Sequence, residues 1–238
     1  MLAFLLLGLS PVLFAVDGEQ TLPYSAPVEE CRQLLREYAA QALARCDEVL
    51  ADGSVSREGK TRIKLDYASR AITRGEFEIA ERHLDDALLE DDVLRQKNIY
   101  RYHLLRMKSL IRFRQDQLAA ALPYMQEALT IALAMQRDKS IATSYNDLGA
   151  VYLETGEYSD ALANLQKALQ VLEKMDDFYA AGLTLANIAN VYRDLEDLNS
   201  SIDYLQRAER SHQRHQSTSA DDGYAVRALA QVREDLCI

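Results

Sequence analysis

Residues 143–172, TSYNDLGAVYLETGEYSDALANLQKALQVL, constrain the fold of this chain more than any other stretch. Tyr145, Leu148, Gly149 and Tyr152 recur at i, i+3, i+4 and i+7, and Ala161, Leu162, Leu165, Ala168, Leu169 and Leu172 continue the period, which is that of an amphipathic helix. Between the two runs, Thr155-Gly156-Glu157 supplies a stop, because glycine adopts the left-handed backbone that ends a helix at least cost. The stretch therefore reads as a helical hairpin with one apolar stripe per helix. Gly149 is out of place inside a helix, where it costs about 1 kcal/mol relative to alanine. Close helix packing offsets that cost, with Ala161 and Ala168 as the small partners that let a backbone approach.

The pattern recurs. The last small residue of the unit reads Ala87, Ala128, Ala168 and Ala208, at spacings of 41, 40 and 40. The earlier small slot reads Ala80, Ala121, Ala161 and Ser201, and the large slot between them Leu84, Met125, Leu165 and Leu205. Four units thus run over residues 61–210. Their sequence of slots, Tyr145, Leu148-Gly149, Tyr152, Gly156, Tyr158, Ala161, Leu165 and Ala168 in the third unit, resembles the tetratricopeptide repeat. That repeat has a usual period of about 34 residues. The longer spacing is similar to the long repeats of kinesin light chains, and the excess is expected in the second helix and its following loop. The resemblance implies an all-α fold, a right-handed α-solenoid of antiparallel helix pairs.

The second unit fits least well. Lys108 and Arg112 fall where leucine and tyrosine are expected, and a shift of one residue would bury Leu110 and Phe113 instead and shorten the turn. Both registers stay open. Pro123 is compatible with a helix only near its start. In the fourth unit Glu196-Asp197 stands in place of the turn glycine.

The flanks differ in character. Residues 1–16, MLAFLLLGLSPVLFAV, carry no charge and are short of the roughly 20 residues of a membrane span. Their composition is that of a secretion signal over 1–18, although no Lys or Arg precedes Arg32 to form a basic n-region. An uncleaved anchor and a packed helix are the alternatives. Residues 19–27 read as linker, and one helix over 28–50, within a capping segment of 28–60, puts Leu35, Ala39, Ala42, Leu43 and Cys46 on one face. Residues 211–238 read as a polar loop followed by a C-terminal capping helix, since terminal units of repeat arrays are atypical.

Composition excludes several function classes. A formal charge of −10 on 238 residues argues against nucleic acid, which is held by clustered cations. Residues 93–115 nevertheless hold Arg95, Lys97, Arg101, Arg106, Lys108, Arg112 and Arg114 with no acid. They form either a basic patch for an acidic partner or a solvated face balancing Asp85–Asp92. On one continuous helix Cys31 and Cys46 would stand about 22 Å apart, beyond disulfide reach, so Cys46 reads as a small buried residue. His212 and His215 lie in the expected polar loop without further metal ligands. No catalytic dyad, triad or phosphate loop is visible, and no cofactor is expected.

In the family that the chain resembles, first helices line a concave groove, and carried-over positions make Arg106, Asn146, Leu153, Asn187, Asn190 and Arg193 the candidate peptide-binding residues. They do not reproduce the full carboxylate clamp of chaperone-binding members. The expected function is a non-enzymatic scaffold for a peptide or protein segment, exported to the periplasm or beyond, with cytoplasmic residence as the alternative and self-association through open ends not excluded. A second reading is an input module, since a signal-like start followed by long repeats resembles the sensor halves of bacterial diguanylate cyclases and sensor kinases.

Overall fold

The computed structural model describes residues 25–37, 41–89 and 98–218. The expected signal, most of the linker and the C-terminal capping helix lie outside them, as do Ala39, Arg95 and Lys97. Among the described residues all regular structure is helical: α1 (Ala26–Arg36), α2 (Ala42–Ala51), α3 (Arg57–Arg74), α4 (Phe77–Leu88), α5 (Asn98–Arg114), α6 (Leu118–Ala134), α7 (Asp138–Glu154), α8 (Tyr158–Lys174), α9 (Phe178–Asp194) and α10 (Leu198–Thr218). They fall into two compact units that divide between Ile131 and Ala132.

The helices from α5 to α9 are each 17 residues long, and three residues separate each from the next. The excess over the shorter repeat is therefore shared between both helices of a pair and does not collect in the second helix and its loop. The turns share one construction. Gly75, Asp116, Gln136, Gly156, Asp176 and Glu196 all have φ between 54° and 77°. In each, the next residue's N–H reaches back five residues, as Glu157 N to Tyr152 O (2.8 Å) and Asp197 N to Tyr192 O (2.9 Å). This is the Schellman closure, which satisfies carbonyls left open at a helix end. Glu196 thus takes the left-handed position that Gly156 holds in the preceding hairpin.

Within each hairpin the helices cross at small residues. A Cβ on Gly149 would stand 2.5 Å from Leu165 Cγ and 3.2 Å from the Ala161 carbonyl oxygen, so the absence of a side chain is what permits the approach. In the second and fourth units a serine serves the same crossing. Ser109 Oγ donates to Ala121 O at 3.0 Å, and Ser201 Oγ donates to Ala189 O at 2.9 Å. In the C-terminal unit, Leu165, Leu169, Leu172, Leu185, Ile188, Val191 and Leu205 form the core around these crossings.

In the N-terminal unit the structure settles the second repeat's register without a shift, because the turn falls at Asp116. Leu110 and Phe113 are buried all the same, and α5 is buried nearly all round, so a one-sided stripe could not have identified its register. Lys108 fits the leucine slot by burying its stem and carrying its ammonium out to Asp85.

The single helix expected over 28–50 is two, α1 and α2, joined by a Cys31–Cys46 disulfide with Cα atoms 5.1 Å apart. The break after Arg36 folds the chain back, which removes the helical rise that would have kept the sulfurs apart. It also resets the face: Leu35, Ala42 and Cys46 are buried, whereas Leu43 is 47% exposed. Both short helices pack on α3, where Asp66 accepts from Arg32 at 2.8 Å and pairs with the buried Arg62 at 3.2 Å. Tyr67 adds a hydroxyl bond to Asp47 at 2.9 Å; burial, and then the Asp47 hydrogen bond, push its phenol up.

A second correction concerns residues 211–218, which continue α10 and are not a loop. The stripe persists through Ala208, Ser211 and His212, all buried, and the sequence hid it because its later members are polar.

Candidate functional site

The candidate groove residues of the third and fourth repeats lie on α7 and α9, neighbouring first helices that touch directly. Asn146 Oδ1 accepts from Asn187 Nδ2 at 3.1 Å. Thr184 Oγ1 lies 3.1 Å from the same oxygen and 3.0 Å from the Ala180 carbonyl, and its one proton serves one acceptor at a time. Asn187 has no exposed surface, and its Oδ1 is left without a hydrogen-bond partner. A buried acceptor left unmet costs about 1–3 kcal/mol, so this amide is an acceptor in want of a donor.

The remaining candidates separate. Asn190 is 5% exposed and follows Asn187 by one turn. Arg193, one turn further, is exposed and lies 3.3 Å from Asp194 through its Nε. Leu153 belongs to the hydrophobic core of this unit. Arg106, in the N-terminal unit, is buried with its guanidinium carbon 5.8 Å from the Tyr102 ring centre. Thr184 and Asp147, both buried, were not singled out from the sequence, where nothing distinguishes them from the other polar residues of α7 and α9.

The basic residues of α5 are largely engaged by acids. Arg101 meets Glu127 on α6 at 2.5 Å, Lys108 meets Asp85 at 2.6 Å, and Arg112 meets Glu81 at 2.7 Å, the last two on α4. Arg114 is half-buried. The spacing of α4 acids opposite α5 bases makes this a zipper between helices.

His212 and His215 both flank Tyr179, with ring centres 5.7 and 5.4 Å away. His212 is buried against Gly182, where an added Cβ would lie 2.7 Å from its ring. Burial, with the positive charge of His215 as a smaller cause, pushes His212 down to about 4. Among the described residues no cluster of three His, Cys, Asp or Glu could hold a metal ion, and no helix is long and apolar enough to cross a membrane.

Antiparallel hairpins with small-residue crossings, joined from Asn98 onward by three-residue turns, define an all-α helical-repeat protein. Models of the tetratricopeptide repeat match residues 102–174 and 184–211. No curated protein matches the chain. Among solved structures, BtubC (BKLC) from P. vanneervenii is similar at 15% identity and a TM-score of 0.60, covering 89% of this chain and 82% of that one. A Signal Transduction ATPase with Numerous Domains (STAND) protein with a tetratricopeptide repeat sensor, from Pyrococcus horikoshii, gives 17% identity and a TM-score of 0.68 over 79% of this chain and 29% of that one. A putative kinesin light chain with nearly identical repeats, from Podosopora anserina, gives 15% identity and a TM-score of 0.61 over 80% and 95%. These likenesses bear on the fold. Repeats of this kind are protein-interaction scaffolds.

Proposed function

We propose that this chain is a non-enzymatic scaffold that holds a peptide or protein segment against the face of α7 and α9. The observation that carries the reading is the polar row of Asn190 and Arg193 on α9, beside which the buried Asn146–Asn187 hydrogen bond ties α9 to α7. Asn190 and Arg193 continue from it along α9 toward solvent. Amides placed in this way suit a peptide backbone, which offers alternating donors and acceptors, and laying a segment in a groove is a common mode of peptide recognition. Arg193 would meet a carboxylate of an acidic partner.

The protein works in the cell envelope on this reading. The uncharged residues 1–16 serve as a signal over 1–18, and the Cys31–Cys46 bond favours an oxidising compartment. Residues 19–27 are then the linker, α1 and α2 the N-terminal cap, 61–210 the four repeats at their spacing of about 40 residues, and the C-terminal cap follows α10.

The test is capture from envelope extract on the immobilised full chain, in parallel with an Asn190→Ala/Arg193→Ala variant of unchanged circular dichroism. A partner retained by the parent and lost by the variant is the expected result. Identical recoveries from both would remove the groove from the account.

A second reading, the input module of a signalling protein, is supported by the similarity to the STAND protein with its tetratricopeptide repeat sensor. A genomic reading frame that continues past Ile238 into an output domain would decide for it.

A further inference from the structure

The C-terminal unit contains a cleft of about 410 Å³ between the end of α8, the start of α9 and the second half of α10. It lies apart from the asparagine pair described above. Its floor is Leu172, Phe178, Ala181 and Leu185, and its rim carries Arg207, Arg210 and Arg214. These three stand at i, i+3 and i+7 of α10 and so share one helix face. Glu173 is the one acid in the lining, and neither it nor Arg207 nor Arg210 forms an ion pair among the described residues.

Two of the guanidinium groups are held over aromatic rings, Arg207 at 4.7 Å from the Tyr204 centre and Arg214 at 5.9 Å from the Phe178 centre. At Arg207, stacking occupies the face of the guanidinium and leaves its in-plane N–H donors for an anion. Ser211 is committed elsewhere, donating to the Phe178 carbonyl at 2.8 Å, which ties α10 to the start of α9 and fixes the wall of the cleft.

The lining of this cleft differs from the corresponding positions one repeat earlier. Forty residues earlier, Lys167, Gln170 and Lys174 stand at the places of the three arginines, and Tyr145 at the place of Leu185. There Lys167 lies 5.3 Å over the Tyr145 ring. Replacing that ring by leucine opens the floor, and replacing Lys, Gln and Lys by three arginines gives the rim planar forks suited to a carboxylate. An apolar floor under a few convergent polar groups is the composition of a small-ligand site, and the volume lies in the range of such sites. In a chain of net charge −10, three arginines facing one glutamate are a local reversal of sign.

We propose that this cleft binds a small organic acid, its apolar body on Leu172, Phe178 and Leu185 and its carboxylate at Arg207 and Arg210.

The test is a titration of the full chain with sodium octanoate below its micelle concentration, following the methyl resonances of Leu172, Ala181 and Leu185 by NMR. Parallel titrations use octanol, sodium sulfate and a short acidic peptide of Asp, Glu and Leu. Two variants accompany them: Arg207→Gln/Arg210→Gln, which removes the charge, and Leu185→Tyr, which fills the floor as the preceding repeat does. Octanoate should saturate with shifts at those methyls and bind at least about tenfold more weakly to the arginine variant, as loss of charge-assisted bonds requires. Leu185→Tyr should abolish binding with an unchanged circular dichroism spectrum. Equal binding of octanoate and octanol, binding that survives in both variants, or shifts confined to the exposed Leu195, Leu198 and Ile202 would overturn the assignment. So would binding of the peptide in place of octanoate.

Discussion

At Gly149 one hydrogen atom decides the spacing of two helices. An alanine there would place Cβ 2.5 Å from Leu165 Cγ, and overpacking of this kind costs typically about 1–3 kcal/mol, against about 1 kcal/mol gained in helix propensity. Gly149→Ala should therefore lower the thermal midpoint, and trimming the neighbour in Gly149→Ala/Leu165→Ala should relieve the clash, so that the two effects are non-additive in a double-mutant cycle. A midpoint unchanged in Gly149→Ala would mean that the leucine moves aside freely. His212 makes a second residue-scale prediction. Its folded value of about 4 lies below the ordinary value near 6.5, so between those limits the unfolded chain binds the extra proton. Stability should fall as pH drops through that window, by about 2 kcal/mol from pH 7 to pH 5. Urea midpoints at the two pH values measure it, and His212→Leu should flatten this part of the slope.

At the scale of the element, the turns show where local reading works. Gly75 and Gly156 were legible as stops because only glycine takes φ near 75° without steric cost. Asp116, Gln136, Asp176 and Glu196 take the same backbone at a cost of roughly 1–2 kcal/mol each, and nothing local announces them. The helices on either side impose that conformation. Glu196→Gly should accordingly raise the stability of the hairpin by about 1 kcal/mol, read as a higher urea midpoint with unchanged slope. A lower midpoint would show that the glutamate side chain contributes more than its backbone strain costs. The same distinction separates α5 from α8. The stripe of α8, from Ala161 to Leu172, was readable because one face is buried and the other exposed. In α5 nearly every face is covered, and no one-sided periodicity survives to set a register.

For the whole molecule, the disulfide is the feature with most bearing on where the chain works. Cys31 and Cys46 close a short loop at the start of the array, and a loop of 15 residues is worth about 3 kcal/mol in the chain-entropy account. If the protein is exported, material recovered by osmotic shock should start near residue 18 and resist alkylation at both cysteines until reduced. Reduction should then lower the stability of the N-terminal unit by about that amount. Full-length protein in the cytosol with both thiols reactive would refute export. The sequence alone determined the hairpin unit, the small residues at its crossings and the glycine stops. Each depends on helical period and backbone sterics within some thirty residues, and such interactions are written in adjacent positions. Only the tertiary structure decided that residues 28–50 fold back to join two cysteines, that Lys108 and Arg112 are paired with α4, that α10 runs on to Thr218, and that Asn146 and Asn187 bond to each other. Those outcomes depend on what a neighbouring helix places opposite a side chain, and a polar residue on one helix looks the same in sequence whether solvent or a partner receives it.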